Sequence, residues 1–148
     1  MLNWNDVLDF ANKQNPKPER RVEKTEQEWK EILSDKQFQI ARLKGTESPH
    51  SGALCNAYDA GIYSCVCCDT QMFDSTIKFD SGSGWPSFTQ PIKENAIKYH
   101  KDTAYGMERI EVMCNVCDCH LGHVFPDGPA PSGLRYCVNS ESIKLSEK

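Results

Sequence analysis

The chain has 148 residues, a formal net charge of −4 and eight cysteines. Its length predicts one domain that buries about 70 % of the surface exposed by the unfolded chain. The acidic balance argues against a nucleic-acid partner, which normally needs a basic surface, and no apolar run approaches the roughly 18 residues of a membrane span.

The first third of the chain predicts short helices. Apolar residues from Trp4 to Ala11 recur at the spacing of one helical face, and the prolines of segment 15–18 end that helix. Capping patterns at Thr25 and Ser34 predict two further helices.

From about Gly61 the predicted elements are strands, because β-branched and aromatic residues alternate between turn residues. This spacing favours a compact antiparallel β domain behind the helical region. The predicted strands cover residues 62–65, 77–79, 96–99, 109–113, 123–125, 134–139 and 143–145.

Two Cys-x-x-Cys pairs are typical of a structural zinc site. Each pair places two sulfurs on one side of a tight turn, and two such turns supply the four thiolates that zinc takes tetrahedrally. A redox pair of the thioredoxin type accounts for one pair and not for two. Spacing does not exclude an exchange with the neighbouring Cys67 or Cys119, but it favours one ion bound by Cys65, Cys68, Cys114 and Cys117.

We expect the protein to be cytoplasmic. Its first residues lack the basic segment and following apolar stretch of a secretory signal. In a reducing compartment, paired cysteines bind metals or carry redox chemistry more often than they form structural disulfides.

Cys137 stands apart from the pairs, in the predicted strand at 134–139. Alternation with period two places Arg135, Cys137 and Asn139 on one face of that strand. Free cysteine has a pKa near 8.5, and a neighbouring guanidinium favours the thiolate. The local sequence allows a reactive thiol, and it equally allows a buried structural cysteine.

Two histidines and a tryptophan are further candidates. His120 and His123 can exchange protons near neutral pH, and His120 with Cys117 is an alternative pair of metal ligands. Trp85 lies in the glycine- and proline-rich segment 82–88. There it forms either part of the core or a wall for a small apolar group.

Together these motifs resemble the methionine-R-sulfoxide reductases of the B type. The resemblance covers about residues 33–145, and it rests on the order and joint presence of the motifs, since no single one suffices. The matching segments are 45–47, 78–88, 120–129, 135–140 and the two Cys-x-x-Cys pairs.

The resemblance implies a mainly β fold. Two antiparallel sheets would form a partly open barrel, with short N-terminal helices and one structural zinc ion per chain at the four-cysteine site. The chain would divide into a helical N-terminal extension, residues 1–24, and a single reductase domain, residues 25–148.

The resemblance also implies an activity, the thiol-dependent reduction of methionine-R-sulfoxide in oxidised proteins or as the free amino acid. Cys137 would be the nucleophile and become a sulfenic acid, which thioredoxin or a similar thiol recycles. His123 and His120 would act in proton transfer. The substrate-binding residues would be Trp85, Phe125, Arg135 and Asn139.

The sequence departs from the family at the resolving thiol. Many members carry a cysteine between the two glycines before the tryptophan, and here that position is Ser83. We expect Cys55 to resolve the sulfenic acid, because it lies outside the zinc pairs on a loop. Cys119, Cys67 and direct reduction by an external thiol are the alternatives.

A non-catalytic zinc-ribbon-like binding module is the alternative function, since fold does not dictate function. That function accounts for the paired cysteines but leaves Trp85, His120, His123 and Cys137 unexplained. Neither a nucleic acid nor a membrane is expected as a partner. The sequence does not indicate the oligomeric state or a preference between free and protein-bound substrate.

Overall fold

The computed structural model describes residues 1–103 and 106–147. Over those residues the chain forms three α-helices and nine β-strands. The helices are α1 (Trp4–Asn12), α2 (Glu26–Ile32) and α3 (Asp35–Ala41). The strands are β1 (Ile62–Cys65), β2 (Gln71–Asp74), β3 (Lys78–Phe79), β4 (Ser87–Phe88), β5 (Ile97–Asp102), β6 (Arg109–Cys114), β7 (His120–Phe125), β8 (Arg135–Val138) and β9 (Ile143–Ser146).

Each helix begins with a capping box, in which the N-cap residue and the residue three positions later bond each other's backbone N–H groups. The boxes at Thr25 and Ser34 confirm the two that the sequence predicts, and Asn3 begins the third. The predicted apolar face of α1 buries Val7 completely. Within the described residues, no helix is both long enough and apolar enough to cross a membrane.

The strands form two antiparallel sheets, as predicted. The smaller sheet has the order β2-β1-β9, and the larger has the order β3-β4-β8-β7-β6-β5. Across residues 1–103 and 106–147, no strand pairing connects the two sheets or joins the outer strands of the larger one. The fold is therefore mainly β, and it is not a closed barrel.

The observed strands differ from the predicted ones chiefly in length. Sequence analysis missed β2 and the two-residue β4, and it began β7 three residues too late. The reason is that β7 starts directly after a cysteine turn and pairs with β6 through a bulge, so its first residues lack regular alternation.

Aromatic side chains from both sheets fill the space between them. Phe73 of β2 stacks on Phe88 of β4 with ring centroids 4.3 Å apart, and Tyr136 of β8 lies 5.8 Å from Phe73. Rings of this size bury about 150–250 Å² each and dominate the energetics of a core. Because Tyr136 points into this core, alternation along β8 turns Cys137 to the opposite face.

The segment after α1 runs along β5, an outer strand of the larger sheet. The Asn15 side chain donates to the Tyr99 carbonyl at 2.9 Å and accepts a hydrogen bond from the Tyr99 N–H at 2.7 Å. Further along, the Arg21 guanidinium forms a two-bond ion pair with Asp118 and donates to the Asn115 carbonyl. The segment thus covers a strand edge and reaches the second cysteine pair.

Candidate functional site

A pocket of about 280 Å³ lies over β7 and β8 of the larger sheet. It brings together all the predicted catalytic and substrate-binding residues. Thr46, Ser83 and Arg109 also line it, and sequence analysis did not single out Thr46 or Arg109 as site residues. The predicted residues in the lining are Trp85, His120, His123, Phe125, Arg135, Cys137 and Asn139.

Cys137 is half-buried on β8, where it pairs with Ser87 on one side and His123 on the other. Burial raises the pKa of its thiol. The Ser83 hydroxyl, 3.6 Å from the sulfur, and the charge of Arg135 oppose that shift but do not cancel it. The guanidinium favours the thiolate, as the sequence predicts, but burial outweighs it, which strand alternation alone does not indicate.

Arg135 is held by two neighbours. Its guanidinium makes a two-bond ion pair with Asp127, at 2.8 and 3.2 Å, and lies over the Phe125 ring at 4.3 Å. A stacked guanidinium presents both charge and a flat apolar face. The arrangement gives the pocket one wall that is partly apolar and partly cationic, next to Cys137.

Carboxylates orient both pocket histidines. His120 Nδ1 lies 2.7 Å from a Glu111 oxygen, with both side chains buried. His123 Nε2 lies 2.8 Å from Asp102, which also binds Arg109 at 3.2 Å. Neither carboxylate belongs to a motif, so only the strand order could have indicated them, with Glu111 on β6 next to β7 and Asp102 on β5 beyond it.

The pKa values of this group favour a neutral His123. Burial lowers the pKa of His123 below its ordinary value, against the opposing bond to Asp102. A neutral imidazole that bonds Asp102 through Nε2 carries its proton there, which leaves Nδ1 as an acceptor. Burial alone would raise the pKa of Glu111, but His120 and Lys44 outweigh it and hold that pKa low.

Trp85 is half-buried at the pocket rather than part of the core. Its Nε1 donates to the Glu47 carbonyl at 3.0 Å, and the Glu47 N–H donates to Asn139 Oδ1 at 3.1 Å. Gly84, beside Trp85, has a φ of 93°, and a Cβ there would lie 2.7 Å from Pro49. A fixed loop therefore presents the indole, and Asn139, directly after β8, holds the Glu47 backbone that the indole bonds.

Four of the cysteines form the predicted cluster. The sulfurs of Cys65, Cys68, Cys114 and Cys117 all lie within 4.8 Å of one another, with Cys65–Cys117 and Cys68–Cys114 at 3.6 Å. A tetrahedron with zinc–sulfur bonds of about 2.3 Å has edges of about 3.8 Å. The chemistry and spacing of these donors therefore fit a tetrahedral thiolate-bound metal ion.

Two backbone turns of the same design hold this cluster, the first cysteine turn (residues 65–70) and the second (residues 114–119). In each, the residue after the second ligand has a positive φ, 67° at Asp69 and 64° at Asp118. Its N–H donates to the carbonyl of the first ligand, at 3.0 and 2.8 Å. The first ligand's own N–H then bonds the carbonyl of Thr70 or Cys119.

The remaining cysteines lie in two places. Cys67 and Cys119 are buried beside the cluster, and their sulfurs are within 4.8 Å of Cys65. Cys55 is half-buried in the loop before β1 and is not among the pocket residues. The loop is tied to the chain after β8, since the Leu54 N–H donates to Ser140 Oγ at 3.3 Å.

A family model and curated relatives place this chain in the same protein family. A family model described as the SelR domain matches residues 33–147. A curated peptide methionine sulfoxide reductase MsrB from Saccharophagus degradans is 54 % identical over 127 residues, which cover 86 % of this chain and 95 % of that protein. A protein of the same name from Pseudomonas putida strain GB-1 is 55 % identical over 126 residues, or 85 % and 96 % of the two chains.

Proposed function

Because the chain belongs to the SelR domain family, we propose that it is a peptide-methionine (R)-S-oxide reductase. The enzyme is an oxidoreductase that uses a thiol to reduce methionine-R-sulfoxide, in oxidised proteins or free, to methionine. The observation that carries this proposal is the position of Cys137. Its half-buried thiol faces a pocket with an indole on a fixed loop and two histidines oriented by carboxylates.

The first step transfers oxygen from substrate to enzyme. Trp85 and the Phe125–Arg135 stack enclose the S-methyl group, and Cys137 attacks the sulfoxide sulfur. His123 takes the thiol proton and delivers it to the sulfoxide oxygen, with His120 beside it. The oxygen then forms a bond to the Cys137 sulfur while its bond to the substrate sulfur and the bond between the two sulfurs break. The substrate sulfur keeps the electron pair and leaves as a thioether, and Cys137 keeps the oxygen and proton as a sulfenic acid.

The second step removes that oxygen as water. The thiol of Cys55 attacks the Cys137 sulfenic acid to form a disulfide, which thioredoxin or a similar dithiol reduces by exchange. Two contacts support Cys55 over Cys67 and Cys119. Its loop bonds the chain three residues beyond Cys137, and the Lys78 ammonium donates to backbone carbonyls on both sides of Cys55.

The four-cysteine cluster holds one zinc ion, which has a structural role. Four protein ligands leave no open coordination position, so the ion fixes the two cysteine turns and takes no part in catalysis. We place the protein in the cytoplasm, where its thiols stay reduced. Its partners are oxidised proteins or free methionine sulfoxide and a thiol reductant, and no nucleic acid or membrane.

The test is epimer-resolved turnover with dithiothreitol as reductant. The purified chain is expected to reduce methionine-R-sulfoxide and to leave the S epimer unchanged. Cys137→Ser is expected to show no turnover above background. Retained activity in that variant contradicts the assigned nucleophile, and no activity on either epimer in the wild-type protein favours the zinc-ribbon-like binding module.

The recycling step has its own test. Cys55→Ser is expected to keep full activity with dithiothreitol, which reduces the sulfenic acid directly, and to lose most of it with thioredoxin. Cys119→Ser is the matched control and keeps both activities. Peptide mass mapping after one turnover with substrate is expected to give a Cys55–Cys137 disulfide, and a stable sulfenic acid without that link contradicts the assignment.

A further inference from the structure

Two buried cysteines have no role in the mechanism above or in the four-cysteine site. The sulfurs of Cys67 and Cys119 lie within 4.8 Å of each other and of Cys65. Cys65 and Cys119 are completely buried, and Cys67 is 8 % exposed. Their neighbours outside the cluster bind weakly, since Cys119 Sγ lies 3.6 Å from the His120 carbonyl and 4.0 Å from that of Ser142.

The two cysteine turns show how this second group arises. Because the backbone bonds of the two turns match, each residue of the first turn has an equivalent in the second. Thr70 is equivalent to Cys119, and Cys67 is equivalent to Val116. The Thr70 hydroxyl lies 3.0 Å from Cys68, a ligand of its own turn. Cys119 instead reaches across to Cys65 and Cys67 of the other turn. Sulfur therefore replaces a hydroxyl and an isopropyl group at the two positions where the turns meet.

We propose that Cys67 and Cys119, with Cys65 as a shared ligand, bind a second thiophilic divalent ion of the zinc type. These three sulfurs lie within 4.8 Å of one another, and Cys65 connects them to Cys117 of the first site at 3.6 Å. Six cysteines around two divalent ions is an arrangement that zinc adopts in proteins. The inference rests on the zinc site proposed above.

The charge balance favours a divalent ion. Four thiolates around one divalent ion carry a net charge of −2, and six thiolates around two divalent ions carry the same charge. The second ion replaces two thiol protons, which are released, and no oxidation occurs. A monovalent ion would leave the buried cluster at −3, and excess buried charge is costly.

A cation already lies against this end of the cluster. The Arg42 guanidinium donates to the Cys117 carbonyl at 2.8 Å and approaches its sulfur at 3.8 Å. It interacts electrostatically with Cys67 and Cys119 and stacks on Trp29 at 4.4 Å. A fixed cation of this kind offsets the remaining anionic charge of a thiolate cluster.

Counting metal ions on the intact chain tests the proposal. Native mass spectrometry of the protein purified with zinc under a phosphine reductant is expected to show two zinc ions per chain. The double variant Cys67→Val and Cys119→Thr copies the residues at the equivalent positions of the other turn, and its cooperative thermal unfolding checks that it folds. That variant is expected to hold one ion and to keep its activity with dithiothreitol, while the control Cys55→Ser holds two.

Cadmium supplies an independent readout. Exchange with ¹¹³Cd is expected to give two resonances in the thiolate region for the wild-type chain and one for the double variant. One zinc ion per wild-type chain overturns the second site alone, and a Cys67–Cys119 disulfide found by peptide mapping of protein kept without reductant overturns it as well. One zinc with one Cu(I) overturns the divalent assignment, whereas a folded chain without metal contradicts the proposed zinc site itself.

Discussion

Burial at the site favours the neutral forms of both Cys137 and His123. Burial raises the pKa of the thiol and lowers that of the imidazole, and adjacent polar groups oppose only part of each shift. The Cys137 thiol then supplies the proton that the proposed first step leaves on the sulfenic acid. Because the thiolate is the reacting form, a raised pKa limits the reaction of this thiol with other oxidants.

We predict that alkylation of Cys137 by iodoacetamide accelerates with rising pH and has its midpoint above the ordinary pKa of cysteine, because the thiolate is the reacting form. Ser83→Ala removes the hydroxyl 3.6 Å from the sulfur and moves the midpoint higher. Alkylation at pH 7 is then several-fold slower. Peptide mass spectrometry follows Cys137 separately from the other cysteines.

The control for that experiment is Ser51→Ala, which removes an exposed loop hydroxyl bonded to the Ser48 carbonyl. It is expected to leave the midpoint unchanged. A wild-type midpoint below the ordinary cysteine pKa contradicts the burial argument, and an unchanged midpoint in Ser83→Ala contradicts the role of the hydroxyl.

At the scale of elements, the sequence predicts the side-chain directions that local backbone geometry determines. Alternation along β8 is sufficient to place Arg135 beside Cys137, because side-chain direction in a strand repeats every two residues. The same rule puts His120 and His123 on opposite faces. They share the pocket because β7 bulges opposite β6, where Val112 pairs with Gly122 and Met113 with His120. Bulges depend on pairing between strands, so the sequence alone could not reveal this one.

The N-terminal segment is the other element whose placement depends on distant contacts. We propose that residues 1–24 form an extension that fastens the second cysteine turn of a domain spanning residues 25–148. The contacts that support this are the Arg21 bonds to Asp118 and Asn115 and the Val22 N–H, which donates to the Val116 carbonyl at 2.9 Å.

We predict that Arg21→Ala lowers the free energy of unfolding by about 1 kcal/mol, since the variant loses a partly exposed ion pair and a bond to a backbone carbonyl. Zinc should also dissociate faster, because Asp118 lies within the second cysteine turn. Urea denaturation and chelator-driven zinc release measure the two effects. Lys13→Ala, which removes an exposed pair with Asp9, is the control. If Arg21→Ala and Lys13→Ala have the same free energy of unfolding and release zinc at the same rate, residues 1–24 do not fasten the second cysteine turn.

At the scale of the whole molecule, the four-cysteine cluster connects the two sheets. The first cysteine turn joins β1 to β2 of the smaller sheet, and the second joins β6 to β7 of the larger one. Spacing predicts the four ligands because each turn is local. It does not predict the approach of Cys67 to Cys119, which depends on how the turns dock. The second turn also leads directly into β7, which carries both histidines and pairs with β8 at Cys137.

We therefore predict that metal removal disrupts catalysis even though Cys137 is not a ligand. Zinc binding of this type contributes roughly 10 kcal/mol or more to the folding of small domains, a size comparable to the whole stability of a domain. Treatment with a strong chelator is expected to abolish cooperative thermal unfolding and R-sulfoxide reduction together, and restored zinc recovers both. Cys114→Ser is expected to behave like the chelated protein, whereas Cys55→Ser unfolds at the wild-type temperature. A metal-free chain that still unfolds cooperatively at that temperature would show that the aromatic core alone holds the sheets together.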